Sequence, residues 1–151
     1  MQIILNNITH PQVLALLQAH LDGMHETSPP EHVHALDVTG LKTPDISFWT
    51  AWRSEQILGC GALKELSENA GEIKSMRTHN AHLRQGVAAK LLEHIIGTAQ
   101  SRGYKMLSLE TGSGDAFEPA LALYRKYGFI NGPAFGSYEA SEFSQFLHLE
   151  L

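Results

Sequence analysis

The stretch HLRQGVAAKLLEHII, residues 82–96, decides how this chain is read. Its second half is a helix built for burial, because Val87, Leu91, Leu92, Ile95 and Ile96 recur at three- and four-residue spacing and form one stripe. Its entrance is unusual. Helix starts commonly recruit Ser, Thr, Asp or Asn to cap their free amides, whereas Arg84, Gln85 and Gly86 stand here, followed by the small residues Ala88 and Ala89. The amides of the first turn are left open, and the helix dipole favours negative charge at that end. With little side chain at 86, 88 and 89, a pyrophosphate can touch the backbone of residues 86–89, and Arg84, Gln85 and Lys90 can close around it.

Outward from this stretch, GEIKSMRT (71–78) reads as the strand before the helix and YKMLSLETG (104–112) as the strand after it, with SRG (101–103) ending the helix. That strand–helix–strand unit is expected to be parallel and right-handed. Upstream, MQIILNNI reads as a first strand. HPQVLALLQAHLDGMHE reads as a helix with Val13, Leu14, Leu17, Leu21 and Met24 on its apolar face, broken by Pro29 and Pro30, after which a short second helix is expected. ISFWTAWR puts Ile46, Phe48, Thr50 and Trp52 on one face and turns into ILGCGALKEL, a hairpin whose second strand is central. FEPALALYRKYGF gives a helix ending at Gly128, and SYEASEFSQFLHLEL one or two final strands. The expected architecture is a mixed α/β sheet in a single domain spanning 1–151.

Bulk composition narrows the function. At 151 residues the chain buries a core without staples. Its single cysteine excludes an internal disulfide, and no apolar run is long enough to cross a bilayer, so a cytoplasmic protein that does not engage a membrane is expected. A formal net charge of −5 argues against nucleic-acid binding. Against that balance, Lys74, Arg77, Arg84 and Lys90 face only one acid, Glu72, between residues 72 and 90, which suits a small anionic ligand.

Three anion loops could use such a helix start. The P-loop run ending in Gly-Lys-Ser/Thr is absent, and the dinucleotide fingerprint needs three spaced glycines after the first strand. The third is an acyl-coenzyme A loop. Here the chain resembles the GNAT family of N-acetyltransferases, whose signature Arg/Gln-x-x-Gly-x-Gly/Ala falls on residues 83–88, with Leu83 at the first position and the arginine one place later. GEIKSMRT is similar to the family's fourth strand. LSLETGSGDAFEPALALYRKYGF is similar to its fifth strand and following helix, ending in the recurrent Tyr-x-x-x-Gly-Phe from Tyr124 to Phe129. SPPEHVHALD and GCGALKEL resemble a small bacterial branch of the family.

The resemblance implies a mostly antiparallel sheet with flanking helices, in which a parallel pair of strands is splayed by a bulge and the pantetheine arm of acetyl-CoA fills the gap. It implies that the backbone of Met76, Arg77 and Thr78 pairs with that arm, that an amide near Met76 meets the thioester oxygen, and that Arg84, Gln85, Gly86, Val87, Ala88 and Ala89 hold the pyrophosphate. Tyr124 matches the family's general acid. Glu72, His34 and Glu110 are candidates for the base, beside a water chain that needs none of them. The acceptor is expected to be the amine of a small molecule or a peptide, with selection by HETSPPEHVHALD, by Phe48 and Thr50, and by GPAFGSYE. Glu31, Glu72 and Glu139 would draw a cation, while Lys64 and Lys74 would orient a carboxylate. Family habit suggests a homodimer.

Rival readings exist. Cys60 in LGCGAL could carry the acetyl group, although its apolar neighbours predict a buried structural thiol. His32-x-His34 and His79-x-x-His82 have spacings found in metal proteins, yet no acidic or cysteine partner recurs beside them, and no metal is expected. The fold could also serve as an acyl-CoA sensor without transferring anything.

Overall fold

The computed structural model describes residues 1–5 and 8–151. Among them, one sheet joins β1 (Gln2–Leu5), β2 (Ile46–Arg53), β3 (Gln56–Ser67), β4 (Ala70–Thr78), β5 (Met106–Thr111), β6 (Ile130–Asn131) and β7 (Gln145–Glu150). Their order is β1-β2-β3-β4-β5-β7-β6, with every neighbour antiparallel except the β4–β5 pair. Helices α1 (Pro11–Thr27), α2 (Val87–Ser101) and α3 (Glu118–Lys126) flank it. This is the mixed, mostly antiparallel architecture expected from the sequence. None of the described helices is long and apolar enough to cross a membrane.

The sheet separates two cores. On one side Val13, Leu16 and Leu17 of α1 pack on Phe48, Trp52, Ile57 and Cys60. On the other, Leu91, Leu92 and Ile95 of α2 and Leu121 of α3 pack on Trp49, Leu63 and Leu107. β2 therefore feeds Phe48 and Trp52 to one core and Trp49 and Ala51 to the other, so both arms of the hairpin are central, not only the second.

Three local expectations need correction. The first strand is formed over Gln2–Leu5, while Asn6 and Asn7 lie outside the described residues. The buried stripe of α1 runs through Val13, Leu16, Leu17 and His20, and Leu14 is exposed, because the helix presents the 13–17–20 row to the sheet. No second α-helix follows the prolines. Pro30–His32 and Gly40–Lys42 each make a single 3₁₀ turn, and the segment between them is held by side-chain packing instead of a helical ladder.

The feature that positions the site is the parallel pair. β4 and β5 are in register only at Ala70↔Met106, Gly71↔Leu107 and Glu72↔Ser108. Beyond Glu72 they part. On the opposite edge, β3 pairs Ala62 with Lys74 but Cys60 with Arg77, so Ser75 and Met76 stand against Gly61 alone. This is a β-bulge, and Ser75 takes φ +55 to make it. The buried Cys60 thiol donates to the Ser75 carbonyl at 3.2 Å, and Gly61 leaves room for the Met76 thioether, whose sulfur would lie 2.5 Å from any added Cβ.

Two glycines test this packing in opposite directions. A Cβ at Gly59 would come within 2.7 Å of the Arg77 carbonyl oxygen and 2.9 Å of Val87 Cγ1, beside the bulge. Gly59→Ala is expected to cost about 1–3 kcal/mol in urea denaturation. Gly97, inside α2, meets nothing within 4 Å. Gly97→Ala is expected to add about 0.5–1 kcal/mol by the same measurement.

Candidate active site

Where β4 and β5 diverge, a cavity of about 430 Å³ opens between them. β4 contributes Glu72 to Arg77, β5 contributes Leu109 to Thr111, and α3 contributes Tyr124. α1 and the His32–Ala35 segment close it from the other side, with Tyr138 and Phe143 from the chain preceding β7.

Its polar centre is a three-residue cluster. Lys74 Nζ donates to Tyr138 Oη at 2.7 Å and to Glu72 Oε2 at 3.2 Å, and the Tyr138 hydroxyl makes a short hydrogen bond to the same carboxylate oxygen. Glu72 is 3% exposed, so this charge is buried with two donors on one oxygen, the arrangement that makes a buried carboxylate tolerable. Burial first, and then the Glu72 charge, push the Tyr138 phenol well above its ordinary range. The edge of His34 rests on the Tyr138 ring at 5.0 Å between centroids. Burial, followed by the Lys74 charge, keeps its imidazole below the usual value.

Glu110 lies across the cleft on β5, and burial raises its carboxyl to about 7. Tyr124 is 7% exposed, packed edge-on against Phe129 with ring centroids 5.7 Å apart. Burial raises its phenol to about 12. The hydroxyl makes no hydrogen bond to any described residue, and the side chain faces the cavity. Tyr127, one turn on, points away and donates to Glu93 of α2 at 2.7 Å.

The second part of the site is the edge of β4 and the start of α2. Arg77 and Thr78 pair with Cys60 and Gly59 on the β3 side, while their other edge has no strand partner among the described residues. Met76 and Arg77 line the cavity, and Thr78 and residues 84–89 lie beyond it. Gly86 caps α2 with φ +80 and offers no side-chain hydrogen bond, so the first-turn amides at Val87, Ala88 and Ala89 stay open. A Cβ at Gly86 would touch nothing, so backbone conformation requires the glycine there. Arg84 also sits at positive φ, +61, and Gln85 accepts a hydrogen bond from Arg53 at 3.1 Å, which anchors the loop to the end of β2. The Val87 side chain is buried, so that residue can contribute only its amide.

The other sequence candidates separate cleanly. Cys60 is fully buried, burial pushes its thiol up to about 12, and it faces the core and not the cavity. His32 stacks on Phe143, and His79 Nδ1 accepts the Ala81 amide at the turn before α2. Among the described residues, no three His, Cys, Asp or Glu side chains converge as a metal site would require. The sequence reading missed the cavity role of His20 and, although it placed Tyr138 in the acceptor-selecting GPAFGSYE stretch, it missed that residue's partners. His20 continues the 13–17–20 row of α1 and could have been found by that spacing, whereas nothing in the local sequence marks the Tyr138 hydroxyl as the partner of Glu72 and Lys74.

Comparison with known proteins fits this geometry. Residues 12–129 match the model of the acetyltransferase (GNAT) family, and the chain belongs to that family. It is an acetyl-CoA-dependent N-acyltransferase. Over 151 residues, all of both chains, it is 48% identical to YsnE of Bacillus subtilis (strain 168), described as an uncharacterised N-acetyltransferase. YedL of Escherichia coli (strain K12), described in the same way, is 47% identical over 146 residues, 97% of this chain and 92% of its own. The crystal structure of a GNAT family acetyltransferase from Elizabethkingia anophelis with acetyl-CoA bound shares the fold, with a TM-score of 0.72, 22% identity, and coverage of 99% and 97% of the two chains.

The environment of Cys60 yields a direct expectation. A thiol raised to about 12 does not react at neutral pH, so the native protein should resist iodoacetamide at pH 8 and be labelled only after denaturation. Cys60→Ala should retain acetyl transfer, and a loss of turnover in a folded variant would return the thiol to the mechanism.

Proposed function

We propose that the protein moves an acetyl group from acetyl-CoA to the amine of a small molecule or peptide held between α1 and the parting strands. The observation that carries this reading is the three-residue pairing of β4 with β5. It frees the edge of β4 at residues 76–78 for an extended pantetheine arm, in line with the open amides at the start of α2.

In the proposed reaction a neutral amine attacks the thioester carbonyl, and the developing oxyanion meets the amide near Met76. The intermediate collapses with cleavage of the carbon–sulfur bond. The departing thiolate takes the proton of the Tyr124 hydroxyl, which is raised to about 12 and therefore stays protonated until the sulfur needs it. The proton lost by the amine goes to a base. Glu110 fits that task best, since a carboxyl at about 7 is half ionised near neutral pH. Glu72 already accepts two hydrogen bonds on one oxygen, and His34 is held below its usual basicity. Both are therefore assigned to the wall of the acceptor pocket. Arg84, Gln85, Gly86, Val87, Ala88 and Ala89 are assigned to the pyrophosphate, and the backbone of Met76, Arg77 and Thr78 to the pantetheine.

Release of the CoA thiol against a panel of amines, amino acids and short peptides tests the reading. Tyr124→Phe should lower kcat by about 10²–10³-fold while the Kd for acetyl-CoA stays fixed. Binding of acetyl-CoA without turnover on any acceptor would favour a sensor.

Glu110 has a signature of its own. As an acid with a raised pKa it is protonated and inactive as a base at low pH and becomes active as pH rises, so kcat/KM for the acceptor should climb through a midpoint of about 7. Glu110→Gln should remove that limb and lower kcat by about 10²-fold or more. An unchanged profile would pass the role to a water chain.

A further inference from the structure

The α1 side of the cavity carries polar groups that the proposed reaction does not use. His20 lies in the buried row of α1, 6% exposed, and its Nδ1 has no hydrogen-bond partner among the described residues. Ser75, at the bulge, is 8% exposed, and its Oγ is likewise without a partner. Between α1 and the bulge lies the half-buried guanidinium of Arg77, which forms no ion pair or hydrogen bond with a described residue. All three line the same cavity. A half-buried guanidinium without an anion partner is a ready binding site for a carboxylate.

The helix makes room for that guanidinium. A Cβ at Gly23 would lie 2.9 Å from Arg77 Nη1 and 3.4 Å from Nη2. Glycine inside a helix is unfavourable relative to alanine, so α1 gives up local stability at the position where the guanidinium comes up against it. His20 is neutral there, because burial, followed by the Arg77 charge, lowers its imidazole to about 4. A neutral imidazole offers one donor and one acceptor nitrogen, and with a hydroxyl and a guanidinium lining the same cavity the donors suffice for a single carboxylate. A phosphate dianion would fit less well, because Glu72 and Glu110 share the cavity. Those carboxyls suit the amine end of the same acceptor.

We propose that His20, Ser75 and Arg77 form an anion subsite for the carboxylate of an acceptor that carries both an amine and a carboxylate, an amino acid or a close analogue. This rests on the transfer reading given above and narrows its substrate class. Arg77 acts through its side chain as a specificity residue, separately from the backbone role assigned to it with the cofactor. The volume of about 430 Å³ suits a small molecule of that kind.

Binding and turnover separate the subsite from the reaction. Calorimetric titration with N-acetylglycine, N-acetylmethionine and N-acetylphenylalanine is compared with their carboxamides, which keep the shape and lose the charge. At least one acid should bind about ten- to a hundredfold more tightly than its amide. Arg77→Gln should erase that preference and Arg77→Lys restore part of it. Gly23→Ala, which displaces the guanidinium without deleting it and favours the helix, should weaken the same preference. Equal binding of acids and amides, no binding by any of the six, or an Arg77→Gln defect confined to acetyl-CoA overturns the subsite. CoA release from the parent amino acids is followed in parallel. Preference for the acids without CoA release keeps the subsite and removes the transfer reading, whereas CoA release without the preference keeps transfer and removes the subsite.

Discussion

The molecule depends on one interruption of hydrogen bonding: β4 stops following β5 beyond Glu72, and the bulge at Ser75 and Met76, opposite Gly61, lies in the stretch that has parted. A strand edge left without a partner in a sheet interior is a liability, because its amides and carbonyls need partners. A non-glycine residue at φ +55 adds strain of about 1–3 kcal/mol. The fold holds this arrangement by fixing β4 on its other side. β3 pairs along it from Gly59 to Ser67, the Cys60 thiol binds the Ser75 carbonyl, and the Met76 thioether fills the space left by Gly61. β5 is held in turn by β7 from Met106 to Thr111. Two strands each secured by an outer neighbour can part without either unravelling.

What was legible in the sequence follows from this. The stripe of Val87, Leu91, Leu92 and Ile95, the central hairpin and the Gly86 turn all express themselves in local periodicity or in a residue type that the backbone demands. The bulge does not. Ser75 has no special tendency toward positive φ, and its conformation is imposed by register across β3. The second helix expected after Pro29 and Pro30 failed for a related reason: the prolines start a turn, but the residues that follow are held by His32 on Phe143 and His34 on Tyr138, contacts from the far end of the chain. Likewise Glu72 and Lys74 are two residues apart and could be paired by eye, while the Tyr138 hydroxyl that binds both comes from 64 and 66 residues away.

Two of the cavity's three carboxyls sit in different surroundings. Glu72 sits among donors and is tied to a cation and a phenol, whereas Glu110 is raised chiefly by loss of solvent. Burial likewise raises Tyr124 and lowers His20 and His34. A single physical cause, burial of these groups, thus keeps a phenol protonated, an imidazole neutral and one carboxyl near neutrality.

Precision between the two halves of the site comes from the helices. α2 begins at the open amides of residues 87–89, and two turns further on its Glu93 accepts the hydroxyl of Tyr127, the residue that caps the end of α3, at 2.7 Å. Tyr124 is on that same short helix, fixed from below by Leu121 and Phe129 in the core shared with Leu91 and Ile95. The helix start suited to an anion and the phenol facing the cavity therefore belong to one packed unit, not to separate loops. For the proposed acid transfer to a leaving sulfur this matters more than the intrinsic acidity of the phenol, because a misplacement of about 1 Å can cost about 10²-fold in rate. The exposed Glu93–Tyr127 bond contributes little to stability by itself, yet it opposes rotation of α3 about its own axis, the motion that would turn Tyr124 away from the cleft.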